Sequence, residues 1–181
     1  MITLVRGKRN SGKSRFAENL AVRSTLPQRY YIATMMVMDE DSMARREEHR
    51  RERAGLDFET LEIPCLVEAA PELMRSPEKS VVLLECMANL VGNIMHEDEW
   101  RGRIDEADSE SGDEFVRLII KRVRDLAGRV GHLIVVTSDY EKEGTDAETS
   151  LYIELLDAVN SRLSRIADTV YTEEDFKEDK A

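Results

Sequence analysis

Residues 7–14 read Gly7-Lys8-Arg9-Asn10-Ser11-Gly12-Lys13-Ser14 and match the phosphate-loop pattern G-x-x-x-x-G-K-[ST] at every required position. The apolar run at 2–5 predicts a buried strand before this loop, and apolar residues at helical spacing over 15–22 predict a helix after it. This order turns backbone N–H groups and the positive end of a helix toward a phosphate. A simple glycine turn is the alternative, but the full match favours a nucleotide site with Lys13 as its cation and Ser14 as a Mg²⁺ ligand.

The size and charge of the chain limit its possible functions. With 181 residues it is long enough for one α/β domain, which we place at 1–171, followed by an acidic tail at 172–181 that we expect to fray. The 37 acidic residues exceed the 26 basic ones and give a net charge of −11, which disfavours wholesale binding of nucleic acid.

The expected location is the cytoplasm. The sequence has no apolar run near the roughly 20 residues of a membrane span. Cys65 and Cys86 are its only cysteines, and they lack the spacing of a zinc site or of a disulfide framework. We therefore expect two reduced, partly buried thiols.

Apolar runs alternate with helical patterns along the rest of the chain. Further strands are predicted at 29–34, 58–63, 80–85, 132–137 and 168–171. Helices are predicted at 66–75, with an interruption near Pro71, and at 87–95, 115–127 and 150–166. The segment 96–114 holds nine acids and is expected to be a solvated, mobile surface connection or a short helical piece. The pattern predicts a three-layer α/β fold of the P-loop NTPase type with a mostly parallel central sheet.

Ligands of such sheets bind beyond the carboxyl ends of the strands. That rule brings Thr34, Glu85 and the loop after Thr137 to the same sheet edge as the phosphate loop. Glu85 ends a continuous apolar run of the kind found in a strand buried on both faces, where a second acidic group would reach the metal or its water. We therefore predict Glu85 as a second Mg²⁺ ligand.

The segment 39–53 is densely charged, with six acids, five arginines and one histidine. A solvated helix with Glu–Arg pairs is the usual interpretation of such a run. Helical spacing, however, places Arg46, His49, Arg50 and Arg53 on one face. A cationic face that carries one imidazole results.

Several separated stretches together resemble one enzyme family. They are G-K-R-N-S-G-K-S-R-F-A-E at 7–18, Y-I-A-T at 31–34, M-A-R-R-E-E-H at 43–49, F-E-T-L-E-I-P at 58–64, L-L-E-C at 83–86 with Asn93, and V-V-T at 135–137. This pattern is similar to that of the bifunctional adenosylcobinamide kinase/adenosylcobinamide-phosphate guanylyltransferase family of cobalamin biosynthesis. The chain departs from the family pattern over 138–161.

The resemblance implies two reactions and a set of site residues. Such an enzyme would phosphorylate the hydroxyl of adenosylcobinamide and then transfer GMP from GTP to the resulting phosphate, through a covalent GMP on His49. The implied substrates are ATP and GTP, the implied cofactor is Mg²⁺, and the implied acceptor is a corrinoid. A homotrimer is also implied. The implied nucleotide contacts are Gly7, Lys8, Arg9, Asn10, Ser11, Gly12, Lys13, Ser14, Ala33, Thr34, Met35, Arg46, Arg50, Arg51, Glu52, Arg53, Glu62 and Glu85. Catalysis is assigned to His49 and Lys13.

Two other functions remain open at this point. A phosphate-loop kinase for another small alcohol would use Lys13, Ser14 and Glu85 without any nucleophilic histidine. A non-catalytic nucleotide-binding paralogue would keep the loop and lose the acceptor site, and the altered segment 138–161 motivates this alternative.

Overall fold

The computed structural model describes residues 1–36, 43, 47, 51, 54–104, 106–142 and 145–178, with the backbone alone at 177 and 178. Its strands are β1 (Ile2–Gly7), β2 (Gln28–Ala33), β3 (Glu59–Glu62), β4 (Ser80–Glu85), β5 (His132–Ser138) and β6 (Thr169–Tyr171). Its helices are α1 (Lys13–Val22), α2 (Met87–Met95), α3 (Glu110–Ala127), α4 (Ala147–Ile166) and α5 (Glu173–Glu178), and 3-10 turns lie at Val67–Leu73 and Pro77–Lys79. Residues 43, 47 and 51 are helical.

The six strands form one sheet in the order β3-β2-β4-β5-β1-β6, and all their pairings are parallel. This confirms the predicted α/β class and its parallel sheet. The register aligns the strand ends, since Ala33 pairs with both Glu62 and Glu85, and Gly7 pairs with Ser138. The carboxyl ends of β1 to β5 therefore share one sheet edge.

Each central strand is buried on both faces because it lies between two layers of helices. In β1, Leu4 points into the core with α2, α3 and α4, whereas Val5 points into the smaller core with α1 and α5. β4 alternates in the same way, with Val82 and Leu84 on the first side and Leu83 on the second. Burial on both faces explains why these strands are continuous apolar runs in the sequence.

A crevice for a ligand opens at the carboxyl ends of β1 and β5. The chain leaves β1 through α1 on one face of the sheet and reaches β2, while it leaves β5 through α4 on the other face and reaches β6. Connections that leave adjacent strands in opposite directions mark the usual ligand position of an open α/β sheet. The fold therefore places 7–14 and 138–142 side by side.

The predicted helix at 66–75 is instead a 3-10 helix at Val67–Leu73. Pro71 lies inside it and has no N–H to donate to an α-helical hydrogen bond.

The prediction that the acidic segment 96–114 is solvated is wrong at Trp100, Ile104 and Gly112, which are buried. Trp100 is 3% exposed and Ile104 is 6% exposed. The Trp100 ring packs edge-on against Phe115 of α3, with 5.2 Å between ring centroids. Two apolar side chains thus anchor a segment whose other residues are largely charged.

The prediction of a frayed tail at 172–181 is also wrong for most of its length. Residues 173–178 form α5, and Phe176 is 3% exposed. Three acids occupy the first turn of α5, where the positive end of the helix dipole favours them. Asp175 also accepts a hydrogen bond from the Thr172 backbone N–H at 2.6 Å, which closes that turn.

Among the described residues, no helix is both long enough and apolar enough to cross a membrane.

Candidate nucleotide-binding site

The phosphate loop takes two left-handed backbone conformations before α1 begins. Asn10 has φ 61° and Gly12 has φ 93°. Gly12 occupies the N-cap position of α1, and no described side chain caps the helix there. The first N–H groups of α1 are therefore available to an anion at the positive end of the helix.

The Lys13 side chain is anchored to the backbone of the phosphate loop. The Lys13 side chain is 8% exposed, and its Nζ donates to the Lys8 carbonyl at 3.0 Å. The Ser11 N–H donates to the same carbonyl at 3.3 Å. The Lys13 ammonium is thus held over the loop interior, where a cation would neutralise phosphate charge.

Ser14 and Glu85 meet at the base of the loop although 71 positions separate them in sequence. The Ser14 hydroxyl donates to Glu85 Oε1. Glu85 Oε2 is buried and accepts no hydrogen bond from the residues that the structure describes. A hydroxyl beside a buried carboxylate oxygen without a partner fits Mg²⁺, which commonly binds one or two protein oxygens together with phosphate and water.

That pair would supply only part of a metal's coordination shell. No group of three or more His, Cys, Asp or Glu residues suited to a metal occurs within the described ranges. A Mg²⁺ ion at Ser14 and Glu85 would therefore depend on the phosphates of a bound nucleotide for further ligands.

Thr34 lies at the same edge but uses its side chain within the protein. It is fully buried, its hydroxyl donates to the Cys86 carbonyl at 2.8 Å, and the same oxygen accepts from the Cys86 N–H at 2.7 Å. Asn93 of α2 donates to the Thr34 carbonyl at 2.7 Å and to the Pro64 carbonyl at 2.9 Å. Thr34 and Asn93 together hold the ends of β2 and β4 and the segment after β3 in place.

Acidic residues from the loop after β5 neutralise cations beside the phosphate loop. The Arg6 guanidinium donates to Asp139 at 2.7 Å, and the Lys8 ammonium donates to Glu141 at 2.9 Å. The Glu141 carboxylate raises the pKa of Lys8, and the Lys8 ammonium in turn lowers the pKa of Glu141. The Asp139 N–H donates to the Gly7 carbonyl at 3.1 Å, which joins the two loops directly.

The remaining predicted site residues differ in their exposure to solvent, and five of them lie outside the described residues. Ala33 and Met35 are half-buried at the end of β2, and Glu62 is exposed at the end of β3. Arg51 is exposed and pairs with Glu47 one helical turn earlier, at 3.7 Å. The predicted residues Arg46, His49, Arg50, Glu52 and Arg53 lie outside the described residues.

Sequence reasoning missed two residues that contact the loop, Glu173 and Phe176 of α5. Glu173 Oε1 accepts from the Lys8 N–H at 2.5 Å. The Phe176 ring packs on Phe16 of α1 with 5.0 Å between centroids. A phenylalanine within an acidic segment was the available signal, but its partners lie about 160 residues earlier in the chain.

Comparison with known proteins identifies the family. A sequence model of the family described as "Cobinamide kinase / cobinamide phosphate guanyltransferase" matches residues 3–174. Two proteins named "Bifunctional adenosylcobalamin biosynthesis protein CobU" are each 29% identical to the chain. The Escherichia coli (strain K12) protein aligns over 174 residues and the Salmonella typhimurium (strain LT2) protein over 182, with 94% of both chains covered in each case.

One solved structure, the flagellar accessory protein FlaH from Methanocaldococcus jannaschii, superposes with a TM-score of 0.47 at 12% identity. The superposition covers 94% of this chain and 70% of the FlaH chain. The family match is of a different kind, because it follows the sequence itself from β1 through the start of α5. Kinase and guanyltransferase reactions are both group transfers, so the enzymes of this family are transferases. Because the family model matches nearly the whole chain, the chain belongs to the cobinamide kinase/cobinamide phosphate guanyltransferase family.

Proposed function

We propose that this protein phosphorylates adenosylcobinamide and then transfers GMP from GTP to adenosylcobinamide phosphate. The observation that carries the proposal is the family match over 3–174, because this range includes both the phosphate loop and His49. The Ser14–Glu85 pair and the bracing of Lys13 over the loop add physical support.

In the first reaction, the acceptor hydroxyl forms a bond to the γ-phosphorus of a nucleoside triphosphate, and the bond to the β-phosphate oxygen breaks. This transfer depends mainly on positioning and on neutralisation of charge. The loop N–H groups orient the phosphates and Lys13 supplies positive charge. Ser14 and Glu85 would hold Mg²⁺, which when bound supplies further neutralisation of the phosphate oxygens.

In the second reaction, we propose that a neutral His49 nitrogen attacks the α-phosphorus of GTP, so that an N–P bond forms and pyrophosphate leaves. An oxygen of the acceptor phosphate then attacks the same phosphorus and breaks the N–P bond. Covalent capture divides one difficult displacement into two easier ones. His49 would react as the neutral imidazole, because only an unprotonated ring nitrogen has the lone pair that attacks phosphorus.

A labelling experiment tests the covalent step. Incubation with α-³²P-GTP should leave one acid-labile, base-stable label on the wild-type protein. The label should be absent from His49→Ala and present in the matched control His96→Ala, because His96 is engaged with Gly92 and Glu148. Absence of label on the wild-type protein, or its persistence in His49→Ala, would refute the guanylyl intermediate.

The acceptor is tested separately, by phosphorylation from ATP with and without adenosylcobinamide. Turnover that requires adenosylcobinamide supports the proposal. Turnover on unrelated alcohols alone would favour a phosphate-loop kinase for another small alcohol.

The proposal also includes a homotrimer and a cytoplasmic location. Sedimentation equilibrium measures the first, and cell fractionation measures the second.

A further inference from the structure

Helix α5 is packed against the phosphate loop by an aromatic cluster. Phe176 is 3% exposed, and its ring lies on Phe16 of α1, which in turn packs edge-on against Tyr171 at 5.1 Å between centroids. Phe16 is only two residues beyond the end of the phosphate loop. The cluster therefore sets the position of α5 relative to the loop and to the start of α1.

This packing brings Glu173 directly over the entrance of the loop. Its Oε1 accepts from the Lys8 N–H at 2.5 Å. A β-carbon added at Gly7 would lie 3.0 Å from Glu173 Cγ, 3.1 Å from Phe176 Cε2 and 2.9 Å from Ser11 Oγ. The side chains of α5 thus occupy the space beside Gly7, the first glycine of the motif, and leave no room for a β-carbon there.

The contact completes a set of restraints on one residue of the loop. The Lys8 carbonyl is held by the Lys13 ammonium, and the Lys8 N–H is held by Glu173. The backbone angles of Lys8 and of the residues after it orient the N–H groups of the loop, and Asn10 and Gly12 take left-handed angles. Holding both backbone groups of Lys8 restricts the loop before any phosphate arrives.

A carboxylate at this place has an electrostatic cost. Glu173 brings negative charge close to a site for a triphosphate, and like charges repel at short distance. A hydrogen bond from an N–H to a charged acceptor is stronger than a neutral one and can offset part of that cost. Removal of the Glu173 carboxylate should therefore weaken nucleotide binding if the residue orders the loop. It should strengthen binding if the carboxylate occupies a phosphate position.

We infer that Glu173 is a positioning residue, held by Phe176, that orders the phosphate loop through the Lys8 N–H and thereby strengthens nucleoside triphosphate binding. This inference rests on the proposed function of 7–14 as a triphosphate site. Glu173 acts through the loop backbone and takes no part in the chemical step.

Nucleotide titration of three variants tests the inference. Glu173→Ala removes the acceptor and should raise the Kd of ATP and of GTP about tenfold, which is about 1.4 kcal/mol. Glu173→Gln keeps an acceptor oxygen and lacks the charge, so its Kd should stay within about threefold of the wild-type value. The matched control Glu174→Ala, an exposed acid on the same helix, should leave the Kd unchanged. If Glu173→Ala and Glu173→Gln both bind as tightly as the wild type or more tightly, the inference is wrong.

A second measurement does not depend on nucleotide binding. In ¹H–¹⁵N spectra of the nucleotide-free protein, Glu173→Ala should shift the Lys8 amide and its neighbours in the loop, and Glu174→Ala should not. Unchanged loop amides in Glu173→Ala would overturn the inference. If the wild-type protein binds neither ATP nor GTP, the proposed function fails, and the amide spectrum still decides whether Glu173 orders the loop.

Discussion

Asn160 of α4 makes the contact whose loss should be most costly near the site. It is fully buried, it accepts from the Thr137 hydroxyl at 2.6 Å, and its amide donates to the Ser138 carbonyl at 3.1 Å. Thr137 is fully buried as well, and Ser138 is 5% exposed. Asn160→Ala therefore removes two buried hydrogen bonds at the end of β5, next to the phosphate loop.

The expected cost follows from the groups left behind. Each buried polar group that loses its partner costs about 1–3 kcal/mol, and the Thr137 hydroxyl can rotate toward another acceptor and so lies at the lower end. The missing side-chain atoms add a small cavity. We expect Asn160→Ala to lower the free energy of unfolding by about 2–4 kcal/mol.

Urea denaturation measures this change, with the fluorescence of Trp100 and far-ultraviolet circular dichroism as independent probes. Trp100 is the sole tryptophan and is buried against Phe115, so its emission should report on the loss of the core. A double-mutant cycle with Thr137→Val should give a coupling energy of at least about 0.5 kcal/mol. A loss below about 0.5 kcal/mol in Asn160→Ala, which is typical of surface substitutions, would refute this reasoning.

Three further predictions concern metal, pH and thiol chemistry. Glu85→Gln should lower kinase turnover about 100-fold or more and raise the Mg²⁺ concentration needed for half-maximal rate, with little change in folding; an unchanged Mg²⁺ dependence would contradict the assignment. Burial, the largest cause, and the N-terminal ammonium lower the pKa of His132, so the folded state favours the neutral ring and stability should fall as the pH drops below about 6.5. His132→Asn should accordingly lose less stability than the wild type between pH 7.5 and 5.5, and equal losses would argue against this cause. Burial raises the pKa of Cys65 and of Cys86 from 9.0 to about 11, so native thiols should react with iodoacetamide about 100-fold more slowly at pH 7.5 than thiols exposed in urea, and equal rates would contradict it.

The strands and the phosphate loop could be predicted because their signals are local. A strand buried on both faces must be apolar along its length, so 80–85 and 132–137 are recognisable without any knowledge of their partners. The loop motif likewise lies within eight residues and carries its own flanking strand and helix. Glu85 is predicted as a site residue on the same ground, because it ends such a strand.

The contacts of the acidic segments could not be predicted in the same way. Trp100 and Phe176 each stand within highly charged sequence, and average composition predicts solvation there. Their burial depends on Phe115 and Phe16, which belong to other elements. A single apolar residue carries no periodicity, so nothing in its own segment identifies its partner.

The sequence by itself determined the α/β class, the parallel strands, the phosphate loop and the family resemblance, since each depends on residue patterns over short ranges. Only the tertiary structure decided that β5 lies between β4 and β1, that Ser14 meets Glu85, and that Glu173 of α5 accepts a hydrogen bond from the Lys8 N–H. These contacts join residues 71 and 165 positions apart. They exist because the packing of two helical layers on one sheet brings distant segments together, and that packing is a property of the whole core.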